Sequence, residues 1–173
     1  MPTLDQLIKA TNCQSKASAQ KFLDAIVETC EKYNINTPSR KLCFLSQVGH
    51  ESGGLFYTEE LASGKAYEGR ADLGNTKPGD GPRYKGRGLI QITGRANYKA
   101  CGAGLGLDLM MFPELLEHPI YACRSAAWFW KSHGLNKLAD AGDQIKITRR
   151  INGGTNGLAE RLAYFELAKK VIA

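Results

Sequence analysis

The sequence predicts a mainly α-helical fold, a helical bundle divided by a cleft. Apolar residues recur at helical spacing in several segments, strand signals are few, and one long glycine-rich segment interrupts the helical pattern. With 173 residues, 43% of them hydrophobic, the chain is long enough for one well-formed core and short for two. We therefore expect a single domain over residues 1–173.

Three helices are predicted in the first third of the chain. Thr3 can cap a short helix that begins at Leu4, and residues 18–33 follow with apolar side chains at helical spacing. Thr37 can cap the third helix, which has a proline at its first position, where the missing N–H costs nothing. This helix leads to Glu51 and a glycine break.

The middle of the chain is rich in glycine. Residues 64–88 combine seven glycines and two prolines with charged residues, which predicts a long loop or a small hairpin. A short extended piece is predicted over 88–92 and a helix over 93–100. Glycines between 101 and 106 predict a turn there.

Three more helices are predicted in the C-terminal half. Residues 120–132 are strongly apolar, which predicts the central core helix, and Trp128 and Trp130 within it are expected to pack rather than to reach the cleft. Residues 138–151 and 157–171 show further helical patterns, the first of which ends at a glycine pair.

The chain is basic, with a formal net charge of +6 and a pI near 9.1. Such an excess suits nucleic acid, anionic lipid or a bacterial wall rich in carboxylate and phosphate, and it is also an ordinary charge for a small soluble protein. There is no arginine-rich block or aromatic RNA-binding motif, so we expect no nucleic-acid partner. No run approaches the ~20 apolar residues of a membrane span, so we expect no stable membrane insertion.

The first residues and the cysteines bear on where the protein is made. The start lacks a charged head followed by an apolar run, so we expect no signal peptide and synthesis in a cytoplasm. Five widely spaced cysteines without zinc-like pairing are expected to be reduced and mostly buried. The three histidines are scattered too, so we expect no metal site and no cofactor.

Carboxylates gather around the glycine break. Glu51 precedes it, and Glu59 and Glu60 follow within a few residues, where they fit the solvated face of a loop about as well as they fit a site. Inverting glycoside hydrolysis needs one protonated and one ionised carboxyl group. Burial at the helix end favours a protonated Glu51 as general acid, and water access favours an ionised Glu60 as general base.

These residues belong to a wider pattern. The run HESGG at 50–54, a Glu nine positions after Glu51, the run YKGRGLIQIT at 84–93 and the pair Asn97-Tyr98 resemble the core of glycoside hydrolase family 19, which comprises chitinases and phage or prophage endolysins. Segments later in the chain resemble its remaining motifs in the same order, so the resemblance spans most of the sequence. It implies a lysozyme-like helical fold, and the short form of the chain is most similar to the endolysins.

Carried over residue by residue, the resemblance implies catalytic roles. Glu51 is then the general acid, Glu60 the general base, and Thr93 the residue that holds the attacking water. The family often has Ser at that position, and either hydroxyl can donate and accept. Gln91 and Asn97 match positions that bind the sugar amide and hydroxyls.

Other candidates follow from the same resemblance. Arg161 matches a position near the base that helps to keep it charged, and Asn152 lies in a later motif and is counted as substrate-binding. From its position beside Glu51, and not from the resemblance, His50 either orients the acid or bonds to backbone at the helix end. His50, Tyr84 and Arg161 are also counted as substrate-binding. Glu68 could compete for the role of base, because the intervening loop varies in length across the family.

Two tyrosines, Tyr67 and Tyr84, argue that the glycine-rich loop is ordered. Each could stack on a sugar ring at the edge of the cleft. Pinning of the loop onto the core is an equally good explanation of both.

The sequence thus predicts a monomeric endolysin whose single catalytic domain hydrolyses β-1,4 bonds of bacterial peptidoglycan with inversion, after release from the host cytoplasm. A chitinase with the same residues is the first alternative, because chitin and the wall glycan share the N-acetyl sugar and the linkage. A non-catalytic glycan-binding module and a transglycosylase are the others. Two acids argue against the module, because binding a neutral sugar does not require them.

Overall fold

Helices make up most of the protein, and the computed structural model describes residues 1–172. Its described helices are α1 (Leu4–Ala10), α2 (Lys16–Lys32), α3 (Pro38–Glu51), α4 (Asp80–Arg83), α5 (Arg95–Leu105), α6 (Pro119–Ser132), α7 (Leu135–Asp140), α8 (Gln144–Asn152) and α9 (Leu158–Lys169). Short 3₁₀ helices lie at Lys65–Tyr67, Ala71–Leu73 and Pro113–Glu117. Within residues 1–172, extended backbone pairs only at two isolated bridges, Glu59 with Arg87 and Arg87 with Ile92. The predicted mainly helical fold is confirmed.

The predicted caps of α1 and α3 are confirmed. Thr3 Oγ1 accepts from the N–H of Gln6 at 3.3 Å, and the Gln6 side chain accepts from the N–H of Thr3 at 2.9 Å, which satisfies two backbone donors at once. Thr37 caps α3, and Pro38 occupies its first turn. The helix ends at Glu51, so this carboxylate stands at a helix terminus as expected.

Helix α5 is longer than predicted. The predicted turn over 101–106 is wrong, because α5 continues through most of this segment. Gly102 and Gly104 are needed there for close packing: a Cβ on Gly102 would lie 2.6 Å from the carbonyl oxygen of Leu107, and one on Gly104 would overlap the Trp128 ring. This packing outweighs the ~1 kcal/mol that a glycine costs inside a helix.

Two other predicted elements differ from the structure. The helix predicted over 138–151 is split into α7 and α8 by a turn at Gly142, whose φ of +68° is left-handed. The extended piece predicted over 88–92 is a tight turn. Backbone hydrogen bonds of 3.1 and 2.8 Å run in both directions between Arg87 and Ile92 and close it.

Helix α6 lies in the main core, as predicted, and packs against α2, α5 and α7. Trp130 is fully buried, with its ring edge-on to Phe44 at 5.3 Å between centroids, whereas Trp128 is partly buried. A second hydrophobic cluster, beside the main core, contains Tyr84, Ile92, Tyr98, Cys101, Leu109 and Leu116. All five cysteines are buried, as predicted. None of the described helices has the length and apolar composition needed to cross a bilayer.

The glycine-rich loop is held by two buried polar residues, Asn75 and Asp80. The Asn75 amide donates to the carbonyl of Tyr67 at 2.9 Å and accepts from the N–H of Arg95 at 2.8 Å. The Arg95 guanidinium donates to both oxygens of Asp80, at 2.8 and 2.6 Å, and thereby holds the pKa of Asp80 below its ordinary value. The loop is therefore tied to the first turn of α5.

Asp80→Asn is expected to lower the free energy of unfolding by about 1–3 kcal/mol near neutral pH, because Arg95 then faces an uncharged partner. A carboxylate whose pKa is lowered on folding stabilises the protein above its unfolded pKa, and this stabilisation is lost as pH falls through the folded value. The difference in the free energy of unfolding between wild type and the variant, measured in urea, should therefore become smaller in acid. Asp72→Asn, which breaks an exposed pair with Arg70, is the matched control. An equal deficit at all pH values would contradict this explanation.

Candidate active site

Glu51, the predicted acid, stands at the end of α3 with its side chain 19% exposed. Its Oε1 lies 2.5 Å from Nη2 of Arg161, a fully buried residue of α9. The resemblance implied that Arg161 lies near the predicted base and helps to keep it charged; the ion pair that Arg161 makes is instead with Glu51, the predicted acid. The reason is the packing of α9 along α3, which brings these residues together from distant parts of the chain.

A buried network holds the Arg161 guanidinium in place. Nη1 donates to Gln47 Oε1 at 2.6 Å, and Nε donates to the carbonyl of Asn156 at 3.2 Å. Gln47 in turn donates to Gln144 at 2.8 Å and to Thr148 at 3.1 Å, both on α8. Three helices thus fix the position of the cation that faces Glu51, and satisfied buried networks of this kind are rigid.

Glu60, the predicted base, is positioned by the chain around Gly86. The two residues pair through backbone, since the Glu60 N–H donates to the Gly86 carbonyl at 2.9 Å. Glu60 Oε2 accepts from the Gly86 N–H at 2.9 Å and from the Tyr67 hydroxyl at 3.1 Å. Burial and the neighbouring Glu60 raise the pKa of Tyr67, so it remains a donor. Oε1 of Glu60 has no hydrogen-bond partner among the residues described.

The absence of a side chain at Gly86 lets Glu60 and Gln91 approach the same backbone. A Cβ at this position would lie 2.6 Å from Glu60 Oε2 and 2.6 Å from Gln91 Oε1. Such distances are too short for real contacts, so any side chain here displaces both residues. Gly86 therefore holds the predicted base through its backbone N–H and, having no side chain, leaves room for it.

Gly86→Ala is expected to lower kcat by about tenfold to a hundredfold, because displacing a reacting group by even ~1 Å is costly. Steady-state kinetics with thermal unfolding of the same preparation would measure this. Gly154→Ala is the control, since a Cβ there meets only Asn152 Oδ1 at an ordinary 3.7 Å. A kcat for Gly86→Ala within twofold of wild type would rule out this role for the glycine.

Both predicted catalytic glutamates line one open cleft of about 410 Å³, together with Tyr57, Glu59, Leu61, Ala62, Tyr67 and Gln91. The two neighbouring acids, Glu59 and Glu68, contact other groups. Glu59 Oε1 lies 2.5 Å from Lys85 Nζ. Glu68, the competing candidate for base, accepts from the N–H groups of Gly79 and Gly81 at 2.6 and 2.8 Å and is not among the residues of the cleft wall.

Thr93 and Asn97 lie in a second, narrower pocket of about 190 Å³, together with Gln91, Ile92, Trp128, Phe129 and His133. Gln91 lines both spaces, so the pocket adjoins the cleft. Asn97 Nδ2 donates to the Thr93 carbonyl at 2.8 Å. This hydrogen bond lies at the start of α5, and it also orients the Asn97 amide. The water-holding role of Thr93 stays a prediction.

The other candidates have different surroundings. Tyr84 is 1% exposed and donates to the Met110 carbonyl at 3.1 Å, so sugar stacking by its ring is wrong and pinning of the loop is its function. His50 Nδ1 lies 2.7 Å from Glu160 Oε2. Asn152 is exposed at the end of α8 and lines neither the cleft nor the adjoining pocket.

Sequence reasoning missed Gln47, Gly86 and the contact of Tyr67 with Glu60. Gln47 stands four residues before Glu51, on the same side of α3, and this spacing was the available signal. The other two interactions join chain segments whose relative position depends on the folded loop, and local sequence carries no signal for them.

The described residues offer few groups for catalysis by a thiolate nucleophile or a metal ion. Burial raises the pKa of the Cys30, Cys43 and Cys101 thiols to about 12, so these residues are not thiolate nucleophiles. Over residues 1–172, no three side chains of His, Cys, Asp or Glu converge as metal ligands would.

A mainly helical fold with two glutamates in one open cleft is typical of lysozyme-like glycoside hydrolases. Residues 34–172 match the family model described as chitinase class I. The chain belongs to glycoside hydrolase family 19.

Similar proteins span bacteria and plants. A family 19 domain-containing protein of Haemophilus influenzae is 35% identical over 79% of this chain and 82% of its own length. An endochitinase of Arabidopsis thaliana is 36% identical over 83% of this chain but only 50% of its own length. The crystal structure of chitinase C from Streptomyces griseus superposes with a TM-score of 0.80 at 23% identity, covering 98% of this chain and 75% of that one, and confirms the predicted lysozyme-like fold.

Proposed function

We propose that the protein is an endolysin-type enzyme that hydrolyses β-1,4 bonds of peptidoglycan with inversion, acting as a monomer. One observation carries the proposal: Glu60 and Glu51 line the same cleft, and there Glu60 Oε2 is held by the Gly86 N–H and the Tyr67 hydroxyl. A carboxylate in a fixed position beside the substrate is what a general base requires.

The proposed reaction uses the two carboxyl groups in one step. Glu51 gives its proton to the glycosidic oxygen as the bond from that oxygen to the anomeric carbon breaks. Water attacks the anomeric carbon from the opposite face, and its proton passes to Glu60. Arg161 faces the Glu51 carboxylate that this step leaves behind, and an adjacent guanidinium stabilises that charge.

Charge favours peptidoglycan as the substrate. The protein is basic, and peptidoglycan carries carboxylates that chitin lacks, in a wall that can also hold phosphate-bearing polymers. Chitin is the second candidate, and the observation in its favour is that the plant relatives are named endochitinases. The residues around the cleft do not separate the two polymers, because both present N-acetyl sugars in the same linkage.

Mass spectrometry of digests tests this proposal. Purified peptidoglycan and a chitin oligomer are treated in parallel with the same enzyme preparation. Reducible muropeptides with little chitin cleavage are the expected result. Chitin products alone would make the protein a chitinase, anhydro ends would indicate a transglycosylase, and no product from either would favour a binding module.

A further inference from the structure

A side pocket opens from the cleft beside the end of α6. It is the pocket of about 190 Å³ that adjoins the cleft at Gln91. Trp128, Phe129 and His133 line this side pocket, and none of the three is among the described residues of the cleft wall. A group attached to a glycan in the cleft can therefore pass Gln91 and enter a space with an aromatic wall.

The aromatic wall of the side pocket is ordered by contacts within α6. The Phe129 and His133 rings stack with their centroids 3.9 Å apart and 21° between their planes. His133 Nδ1 lies 2.9 Å from the carbonyl oxygen of Phe129. These rings offer apolar contact area, and the two amide side chains of the same pocket, Gln91 and Asn97, offer hydrogen bonds.

A cation lies beside the side pocket, at the end of α8. Arg150 Nη1 donates to the carbonyl of His133 at 2.5 Å, so the guanidinium sits against a residue whose side chain lines the pocket. Arg150 is exposed. The acids on the same side of the chain, Asp140 at the end of α7 and Asp143 before α8, pair with other basic residues. The charge of Arg150 is therefore balanced by no carboxylate among the residues described.

We propose that the side pocket and Arg150 together bind the peptide stem of peptidoglycan, an inference that rests on the proposed function. Every second sugar of that polymer carries a short peptide, whereas chitin is unbranched. Peptide amides and alanine methyl groups match the amide side chains and the aromatic wall of the pocket. A stem carboxylate matches the guanidinium, whose remaining N–H groups can donate to it. The site thus adds binding energy that only the wall polymer receives.

The test compares two soluble substrates made from the same uncrosslinked peptidoglycan strands, one with its stems intact and one stripped of them by an amidase. Arg150→Gln and His133→Ala should each lower the ratio of kcat/KM on intact strands to kcat/KM on stripped strands by about threefold to tenfold, mainly through KM. Added salt should reduce the advantage of wild type over Arg150→Gln on intact strands, because salt screens an exposed ion pair. Both residues are exposed, so both variants are expected to fold.

Arg83→Gln is the matched control. Arg83 is also an exposed arginine that donates to backbone carbonyls, those of Met110 and Met111, and it lines neither the cleft nor the side pocket. Its substitution should leave the ratio of the two substrates unchanged.

Two results would overturn the inference while the proposed function stands. An equal loss on both substrates would mean that Arg150 and His133 only stabilise the end of α6. A ratio that stays at the wild-type value in either variant would show that the stem is bound elsewhere. If wild type cleaves neither substrate, the proposed function fails and this inference fails with it.

Discussion

Replacing Glu51 by Gln is expected to lower kcat by about 10²- to 10⁴-fold, the range that one general acid supplies. The amide keeps the shape of the side chain and can still lie beside Arg161, but it has no acidic proton to give to the leaving oxygen. KM should change little, because the substrate loses no binding group. Initial rates on the cleaved polymer, with thermal unfolding of the same sample, measure the effect.

Glu59→Gln is the matched control for this substitution. Glu59 lines the same cleft and makes the same type of contact, an ion pair with a basic residue, in its case Lys85. Its variant should keep kcat within about threefold of wild type, the usual worth of an exposed pair. Residual activity above a tenth of wild type in Glu51→Gln would remove Glu51 from the role of acid.

Glu60→Gln is expected to have a loss of similar size, about 10²- to 10⁴-fold in kcat. The Gly86 N–H and the Tyr67 hydroxyl can still donate to the amide oxygen, so the side chain keeps its place. What it loses is the capacity to take a proton from water. Single-turnover kinetics would show the loss in the chemical step itself.

Glu68→Gln separates the two candidates for base. Its carboxylate accepts from two backbone N–H groups of the glycine-rich loop. The Glu68→Gln variant should therefore have a lower free energy of unfolding, with kcat close to that of wild type. The reverse pattern, with Glu68→Gln inactive and Glu60→Gln active, would show that the base has been misplaced.

Local sequence predicted the elements that depend on local chemistry. Thr3 and Thr37 were identifiable as caps, and the helix that ends at Glu51 has a regular apolar face. The prediction failed where glycine serves a contact rather than a turn, as at Gly102, whose missing side chain makes room for a neighbouring carbonyl. A glycine looks the same in sequence whether it breaks a helix or lets one pack closely.

The candidate site was predictable only in part. The resemblance identified Glu51 and Glu60, and the structure brings both into one cleft. Arg161 was expected to keep Glu60 charged but makes its ion pair with Glu51, and of the two explanations open for Tyr84 its burial favours pinning of the loop. Both outcomes depend on which distant segments meet, and helical periodicity fixes the face of a helix without fixing its partner.

The most direct test of the two-carboxylate mechanism is the configuration of the first product. Proton NMR recorded during cleavage of a soluble β-1,4-linked N-acetyl oligosaccharide distinguishes the anomers before they interconvert. The mechanism predicts that the new reducing end appears first as the α anomer, because one water attacks opposite the bond that breaks. A β anomer formed first would mean retention, and it would contradict the assignment of Glu60 as the base that activates water.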